Sequence, residues 1–169
     1  MPTEEQLLSD SNGALFAPNE KRGGQRLVIA NRIVTKLRFG LWKFGNPSGN
    51  ISFTIRKVSN DDLIQSVVWG NASSLSTSQA WKEATFVGPS VINEEVRILV
   101  EFGGGSGSDI VFYAVQNSNV KADEEFTYYT STSWTDVPSK DATYVYTYEE
   151  PAEPAGVGGQ ANLVAAGII

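Results

Sequence analysis

The residues of this chain that could do chemistry are mainly carboxylates, because the sequence contains no cysteine and no histidine. Thiolate catalysis, disulfides, cysteine-based metal sites and imidazole general bases are therefore excluded. The acidic runs are Asp61–Asp62, Glu94–Glu95 and Asp123–Glu125. They lack the alternate-position spacing of a calcium loop, and a glycosidase needs two carboxylates facing each other across a cleft, which spacing alone leaves open. Solvated turns are the better interpretation.

The glycine-rich stretch from Gly103 to Ser108 is a second candidate for chemistry. It has no Lys-Ser or Lys-Thr ending, and it joins two predicted strands instead of opening a helix. Neither the phosphate cradle nor the helix dipole of a nucleotide site is then available. The pattern indicates a flexible loop, and we expect no catalytic residue, no cofactor and no metal.

Aromatic side chains give the third candidate site. Trp42 and Phe44 share the even-numbered face of a predicted strand with Arg38. The opposite, buried face of that strand carries Leu37, Phe39 and Leu41. Two aromatics at the end of a polar face predict a surface that stacks on sugar rings or contacts another protein. The alternative is that another segment, such as a chain terminus, covers them.

The elements that must position these residues are strands. Residues 31–58 alternate apolar and polar positions on both sides of a G-N-P-S-G-N turn, which predicts a long β-hairpin. Further strands are predicted at Gln25–Ala30, Leu63–Trp69, Trp81–Val87, Val96–Phe102, Asp109–Gln116, Phe126–Thr135 and Ala142–Tyr148. A 3.6-residue period is missing, and short strands between turns are typical of all-β proteins. We predict a single antiparallel, jelly-roll-like β-sandwich.

Composition divides the chain into three parts. We predict an N-terminal arm at residues 1–24, the sandwich at 25–150, and a Pro/Gly linker with an apolar C-terminal arm at 151–169. The arm residues expected to contact a neighbouring subunit are Leu163, Val164, Ile168 and Ile169. Such a segment lacks a core of its own, so docking on a second copy would bury its apolar surface. The alternative is that it folds back on its own domain.

Charge and hydropathy limit the partners and the location. With 13 Lys+Arg against 19 Asp+Glu, the net charge is −6, so we expect no binding to a phosphate backbone of nucleic acid. We also expect no membrane segment, because apolar runs fall short of the roughly 20 residues such a helix needs. The first residues carry acids where a signal peptide needs basic residues. A protein that works outside a cell would then leave by another route, such as host lysis, or be a processed fragment.

Several motifs in residues 31–150 also carry a family resemblance. They are G-N-P-S-G-N-I-S-F-T-I-R, A-S-S-L-S-T-S-Q-A-W-K-E-A-T-F, V-R-I-L-V-E-F and T-S-W-T-D-V-P-S-K-D-A-T-Y-V-Y, in this order. This part of the chain resembles the carbohydrate-binding-module-like β-sandwich domains of phage and archaeal-virus structural proteins and of microbial surface proteins. The resemblance implies a turn-closing Gly49, a Trp81 that precedes a core strand, and inward-pointing Ala142, Tyr144 and Tyr146. It implies no catalytic residues.

The resemblance and the composition together give two main functional hypotheses, and an enzyme such as a glycosidase, working through carboxylates, is a minor third. The first is a non-enzymatic structural protein of a virus particle, a capsid decoration protein or a head or tail fibre subunit, which assembles through its terminal arms with copies of itself or other virion proteins. The absence of a wall or membrane anchor favours this virion location. The second is a carbohydrate-binding or adhesin module of an extracellular or cell-surface protein, with a glycan at Trp42 and Phe44.

Overall fold

The computed structural model describes residues 1–153, and the chain folds as an antiparallel all-β sandwich, as predicted. A 3-10 turn at Ala72–Ser74 interrupts the strands. The strands are β1 Thr3–Gln6, β2 Ser11–Leu15, β3 Arg22–Phe44, β4 Asn50–Lys57, β5 Leu63–Asn71, β6 Ala80–Thr85, β7 Val91–Phe102, β8 Ile110–Gln116, β9 Glu125–Tyr129, β10 Trp134–Val137, β11 Asp141–Ala142 and β12 Tyr144–Glu149.

Strand β3 connects the two halves of the sandwich. It runs for 23 residues and is broken by a bulge between Ile29 and Arg32, where Asn31 has a φ of 51°. Asn tolerates this left-handed conformation better than most residues, and a bulge bends the strand that carries it. The bend allows one strand to begin in one half of the sheet and end in the other.

The two halves differ in the partners that β3 takes. Its first part pairs with β7 on one edge and with β9 on the other, and the sheet continues through β4 to β5 and from β9 to β10. Its second part pairs with β6 on one edge and with β12 and then β8 on the other. Strands β1 and β2 complete this half as partners of β12 and β8.

The core lies between the two halves, and aromatic residues fill much of it. The rings of Tyr144 and Tyr146 stack with centroids 6.2 Å apart, and Tyr148 continues the row. The predicted inward orientation of Ala142, Tyr144 and Tyr146 is confirmed, because all three are at most 1% exposed. Val145 and Thr147, between the tyrosines, lie on the other face of β12, as the period of a strand requires.

The predicted hairpin over residues 31–58 is wrong. Its two strands exist, but β4 pairs with β5 and β7, and β7 lies between β4 and the first part of β3. The turn at residues 45–49 instead carries the chain across the sandwich. Gly45 and Gly49, with φ of 71° and 119°, provide the backbone conformations for this crossing. Alternation within each strand was informative, but it does not specify the partner strand.

The predicted N-terminal arm at residues 1–24 is also wrong, because this segment belongs to the sandwich. β1 and β2 pair along their whole lengths with β12 and β8, and β3 begins at Arg22. Gln6 is buried and donates from Nε2 to the Ala142 carbonyl at 3.2 Å. These two short strands cover sheet edges that would otherwise present unpaired backbone groups.

Candidate functional site: an aromatic face on β3 and β8

The outer surface of the second half of the sandwich carries the predicted aromatic residues. Strand alternation places Trp42 and Phe44 on the side of β3 opposite the buried Phe39 and Leu41. The register pairs Trp42 with Phe112 and Phe44 with Ile110 of β8. Partners in an antiparallel register point to the same side of the sheet. We call Trp42, Phe44, Ile110 and Phe112 the aromatic face.

The geometry of the aromatic face leaves it accessible. The rings of Trp42 and Phe112 lie 5.5 Å apart at 30°, so each covers part of the other. Phe44 stays 57% exposed at the end of the strand. Four apolar side chains at adjacent register positions form a continuous surface without a charged group between them.

Arg38 borders this surface on the side of β6. Its guanidinium carbon lies 5.2 Å from the ring centroid of Trp81, and its Nε is 3.7 Å from Glu83 Oε2. Lys36 approaches the same carboxylate, with Nζ 2.9 Å from Oε1. The Glu83 carboxylate therefore pairs with both Lys36 and Arg38, beside the exposed indole of Trp81. Glu83 offsets one of these two positive charges, so this cluster of three side chains keeps a net positive charge at the border of the aromatic face.

The surface between the two tryptophans has a floor of small residues. Gly40 lies opposite Trp81 in the register and next to Ala114, whose Cβ would be 3.2 Å from a Cβ built at Gly40. The Gln79 Nε2 lies 3.0 Å from the same position. A side chain at residue 40 would displace this amide. An amide, a guanidinium and indole rings are the groups that bind the hydroxyls and ring faces of polar planar ligands.

The structure thus brings together the predicted residues Trp42, Phe44 and Arg38 on one side of β3. Phe112 covers part of Trp42. This contact explains the partial burial of Trp42 without the alternative that a chain terminus lies over it. Sequence reasoning missed Phe112 and Trp81. The nearly uninterrupted apolar run of β8 contained the signal for Phe112, because alternate positions of any such strand face outward. The predicted arm residues Leu163, Val164, Ile168 and Ile169 lie outside the described residues.

The acidic runs are engaged in ion pairs and hydrogen bonds. Asp61 accepts from Arg22 Nη1 at 2.9 Å, and Glu95 accepts from Arg26 Nε at 2.8 Å. Glu124 accepts from the Tyr144 hydroxyl at 2.6 Å. Within residues 1–153, no group of three acidic side chains is arranged to hold a metal ion. The interpretation of the three acidic runs as solvated turns is therefore incomplete, because each run contains a carboxylate that is bonded to another side chain.

Glu124 belongs to a buried polar cluster at one end of the sandwich. Burial raises its pKa, although hydrogen bonds from Tyr144 and Gln25 oppose the increase. The neighbouring Asp141 is fully buried and accepts from Gln25 Nε2 at 2.6 Å and from the backbone N–H groups of Val120 and Lys121 at 2.6 and 2.9 Å. These bonds fix the loop before β9 onto the core, which is a structural use of carboxylates.

One property of the structure and two comparisons with known proteins complete the description of the chain. Among the described residues, no helix has the length and apolar character required to cross a membrane. No protein-family model matches the chain, and no curated protein matches its sequence.

Proposed function

We propose that this protein is a non-enzymatic structural protein of a virus particle, a capsid decoration protein or a head or tail fibre subunit. In this proposal it attaches to its assembly through the aromatic face. The single observation that carries the proposal is the uncharged surface of Trp42, Phe44, Ile110 and Phe112 on the outside of the sheet, in which Phe44 is exposed and the other three are half-buried.

The composition of this surface supports a protein contact. The centres of protein interfaces are poor in charge and rich in aromatic residues and arginine, with polar groups around them. Here the aromatic face is bordered by Arg38 and by the exposed Trp81. The backbone of paired strands is already ordered, and aromatic side chains have only two rotatable torsions, so docking of a partner would cost little conformational entropy.

The C-terminal segment supplies the second part of the proposal. Residues 163–169 read L-V-A-A-G-I-I after a Pro/Gly linker, and burying such side chains stabilises a contact by about 25 cal/mol per Å². We propose that this arm links neighbouring copies or other virion proteins. The assembly would then have two distinct contacts, the aromatic face and the arm.

A carbohydrate-binding or adhesin function is the second candidate. The observation that favours it is the Gln79 amide beside Trp81 and Arg38, above the floor formed by Gly40. Aromatic stacking with hydrogen bonds from an amide and a guanidinium would suit a sugar ring. A carbohydrate-binding function would place the sugar on the same side of the sheet as the aromatic face. Both functions can therefore be tested with the same variants.

The test compares Trp42→Ala and Phe44→Ala with Val68→Ala. Val68 is a matched control because it is 55% exposed on the distant edge strand β5. Negative-stain electron microscopy and light scattering measure assembly of the full chain, and a glycan array measures sugar binding. We expect the two aromatic variants to lose assembly while the Val68 variant retains it. Glycan binding that disappears in the Trp42 variant with assembly intact would favour the adhesin function instead.

Removal of residues 151–169 tests the arm separately. We expect a folded, soluble monomer, since β12 ends at Glu149 and the described core lies before the deletion. Circular dichroism checks the fold and light scattering checks the mass. A truncated protein that assembles like the full chain, or one that fails to fold, would show that the arm does not link subunits.

A further inference from the structure

The side chain of Tyr113 crosses the interior of the sandwich between two glycines. A Cβ built at Gly13 would lie 2.0 Å from Tyr113 Cζ, and one built at Gly23 would lie 2.0 Å from its Oη. Gly13 belongs to β2 and Gly23 to β3, so the ring spans from one half of the sheet to the other. Tyr113 is fully buried, and its hydroxyl donates to Glu20 Oε1 at 2.5 Å.

Glu20 is a mostly buried carboxyl group without a cation beside it. The Glu20 carboxyl group accepts a hydrogen bond from the Tyr113 hydroxyl. None of the ion pairs between residues 1–153 includes Glu20. A buried carboxylate with one donor lacks compensation for the hydration that it loses. Its protonated form avoids this cost and can still accept from the Tyr113 hydroxyl.

The charged and titratable groups around Glu20 do not remove the preference of its buried carboxyl group for the protonated form. Tyr113 faces Glu20 from β8. Burial raises the pKa of Tyr113, and Tyr128 of β9 helps to raise it. The adjacent Arg22 turns toward Asp61 and Glu101 on the outer surface. Lys21 is exposed, and β2, with the sequence S-N-G-A-L, contributes no titratable side chain.

Glu20 lies in the connection that holds β2 to the rest of the protein. The backbone of this connection bonds Phe16 N–H to the Glu20 carbonyl and Ala17 N–H to the Gly104 carbonyl, both at 2.9 Å. β2 is an edge strand on β8, and its Ala14 lies opposite Phe112 of the aromatic face. Opening of β2 would therefore expose the edge of β8 next to that face.

We propose that Glu20 and Tyr113 form a protonation-dependent latch that holds β2 against the edge of β8. When Glu20 is protonated the latch is tight. When it loses its proton, the charge favours states in which the connection opens and water reaches the carboxylate. The proposal does not depend on what binds the aromatic face.

The pH range of the latch follows from linkage. Burial raises the pKa of Glu20 from 4.5 to about 7, although the hydrogen bond from Tyr113 opposes the increase. The closed state therefore binds the proton more tightly than the open state. Its added stability is fully present below pH 4.5, decreases as the pH rises, and is lost once the pH has passed about 7.

Hydrogen exchange of the full chain between pH 5 and pH 8 tests the latch. Protection factors, corrected for the intrinsic pH dependence of exchange, are measured for the amides of β2. We expect them to fall by about tenfold or more up to pH 7 and to level off above it, because a pKa difference of one unit changes an opening equilibrium tenfold. The amides of the distant edge strand β5 should show no such fall.

Two variants separate the latch from a general effect of pH. Glu20→Gln keeps the acceptor and cannot ionise, so its β2 protection should stay constant over this range. The matched control Glu5→Gln changes an exposed acid on β1 and should behave like the parent protein. β2 protection that is constant in the parent, or that falls equally in Glu20→Gln, would overturn the proposal.

A third variant keeps the proposal testable if Glu20→Gln does not fold. Tyr113→Phe removes the donor, so the charged form of Glu20 loses its hydrogen bond. The fall in β2 protection should then extend to higher pH than in the parent protein. An unchanged pH profile in Tyr113→Phe would also overturn the latch.

Discussion

Arg97 lies across the indole of Trp134, with its guanidinium carbon 4.4 Å from the ring centroid, while its Nη2 donates to Asp136 at 3.2 Å. Arg97 is only 4% exposed, so its charge is held almost entirely away from water. Thr127 Oγ1 accepts from the Arg97 Nε and donates to Asp136. The outer surface of the first half of the sandwich is thus built around a buried cation paired with Asp136 and Thr127, in contrast to the uncharged aromatic face of the second half.

The first prediction concerns this buried pair. Asp136→Asn should destabilise the protein by about 3 kcal/mol, because it leaves a desolvated arginine without its counter-charge. Urea unfolding measures the change. The control Glu94→Gln removes an exposed partner, since the Lys57–Glu94 side chains are 38% and 37% accessible, and should change stability by no more than about 0.5 kcal/mol. Equal effects of the two substitutions would contradict the structural role of Asp136.

The second prediction concerns acid pH and the same carboxylate. Burial alone would raise the pKa of Asp136, but the hydrogen bond from Thr127 and the charges of Arg97 and Arg26 outweigh it and lower the pKa below 3.8. The folded state therefore binds this proton less readily than the unfolded state. The associated stability is present above pH 3.8 and is lost as the pH falls below it. Urea midpoints between pH 5 and pH 2.5 should fall less steeply in Asp136→Asn than in the parent protein.

The third prediction concerns the glycines beside Tyr113. Gly13→Ala should destabilise the protein by about 1–3 kcal/mol, because the new methyl group would overlap the buried ring and the core would have to shift. Gly70→Ala is the matched control in another strand, since a Cβ there meets no atom within 4 Å. Thermal unfolding compares the two variants. Gly70→Ala should be neutral or slightly stabilising, because alanine loses less backbone entropy on folding than glycine. A cost at Gly70 as large as that at Gly13 would show that overlap with the ring is not the cause.

The same glycines show where sequence reasoning stops. Alternating apolar and polar residues predicted most strands of the sandwich, including those that contain Phe39 and Phe53, because alternation is a property of one strand. It could not show that these two rings meet edge to face at 5.2 Å across the core, since that contact depends on which strands lie in each half. Gly13 likewise lies in the segment predicted as an N-terminal arm, and its role became visible only with Tyr113 beside it.

The candidate site was predictable to a similar extent. Trp42, Phe44 and Arg38 could be placed on one side of a strand from their spacing alone. Phe112 and Trp81 come from strands far away in the chain, and only the register of β8 and β6 brings them to β3. Glu20 gave no signal, because a carboxyl group in a polar segment is ordinarily exposed and its burial depends on the long-range contact with Tyr113.

The last prediction tests whether Trp42 and Phe112 pack on each other in the free protein. Trp42→Ala and Phe112→Ala should each destabilise it by about 1–2 kcal/mol, because both side chains are half-buried and lose apolar contacts. The double variant should cost less than the sum by about 0.5–1.5 kcal/mol, which is the coupling expected of an aromatic pair. Phe44→Ala should have little effect, since that ring is mostly exposed. Additive single effects would mean that Trp42 is held by something other than Phe112, whereas a large cost for Phe44→Ala would mean that this ring is covered in solution.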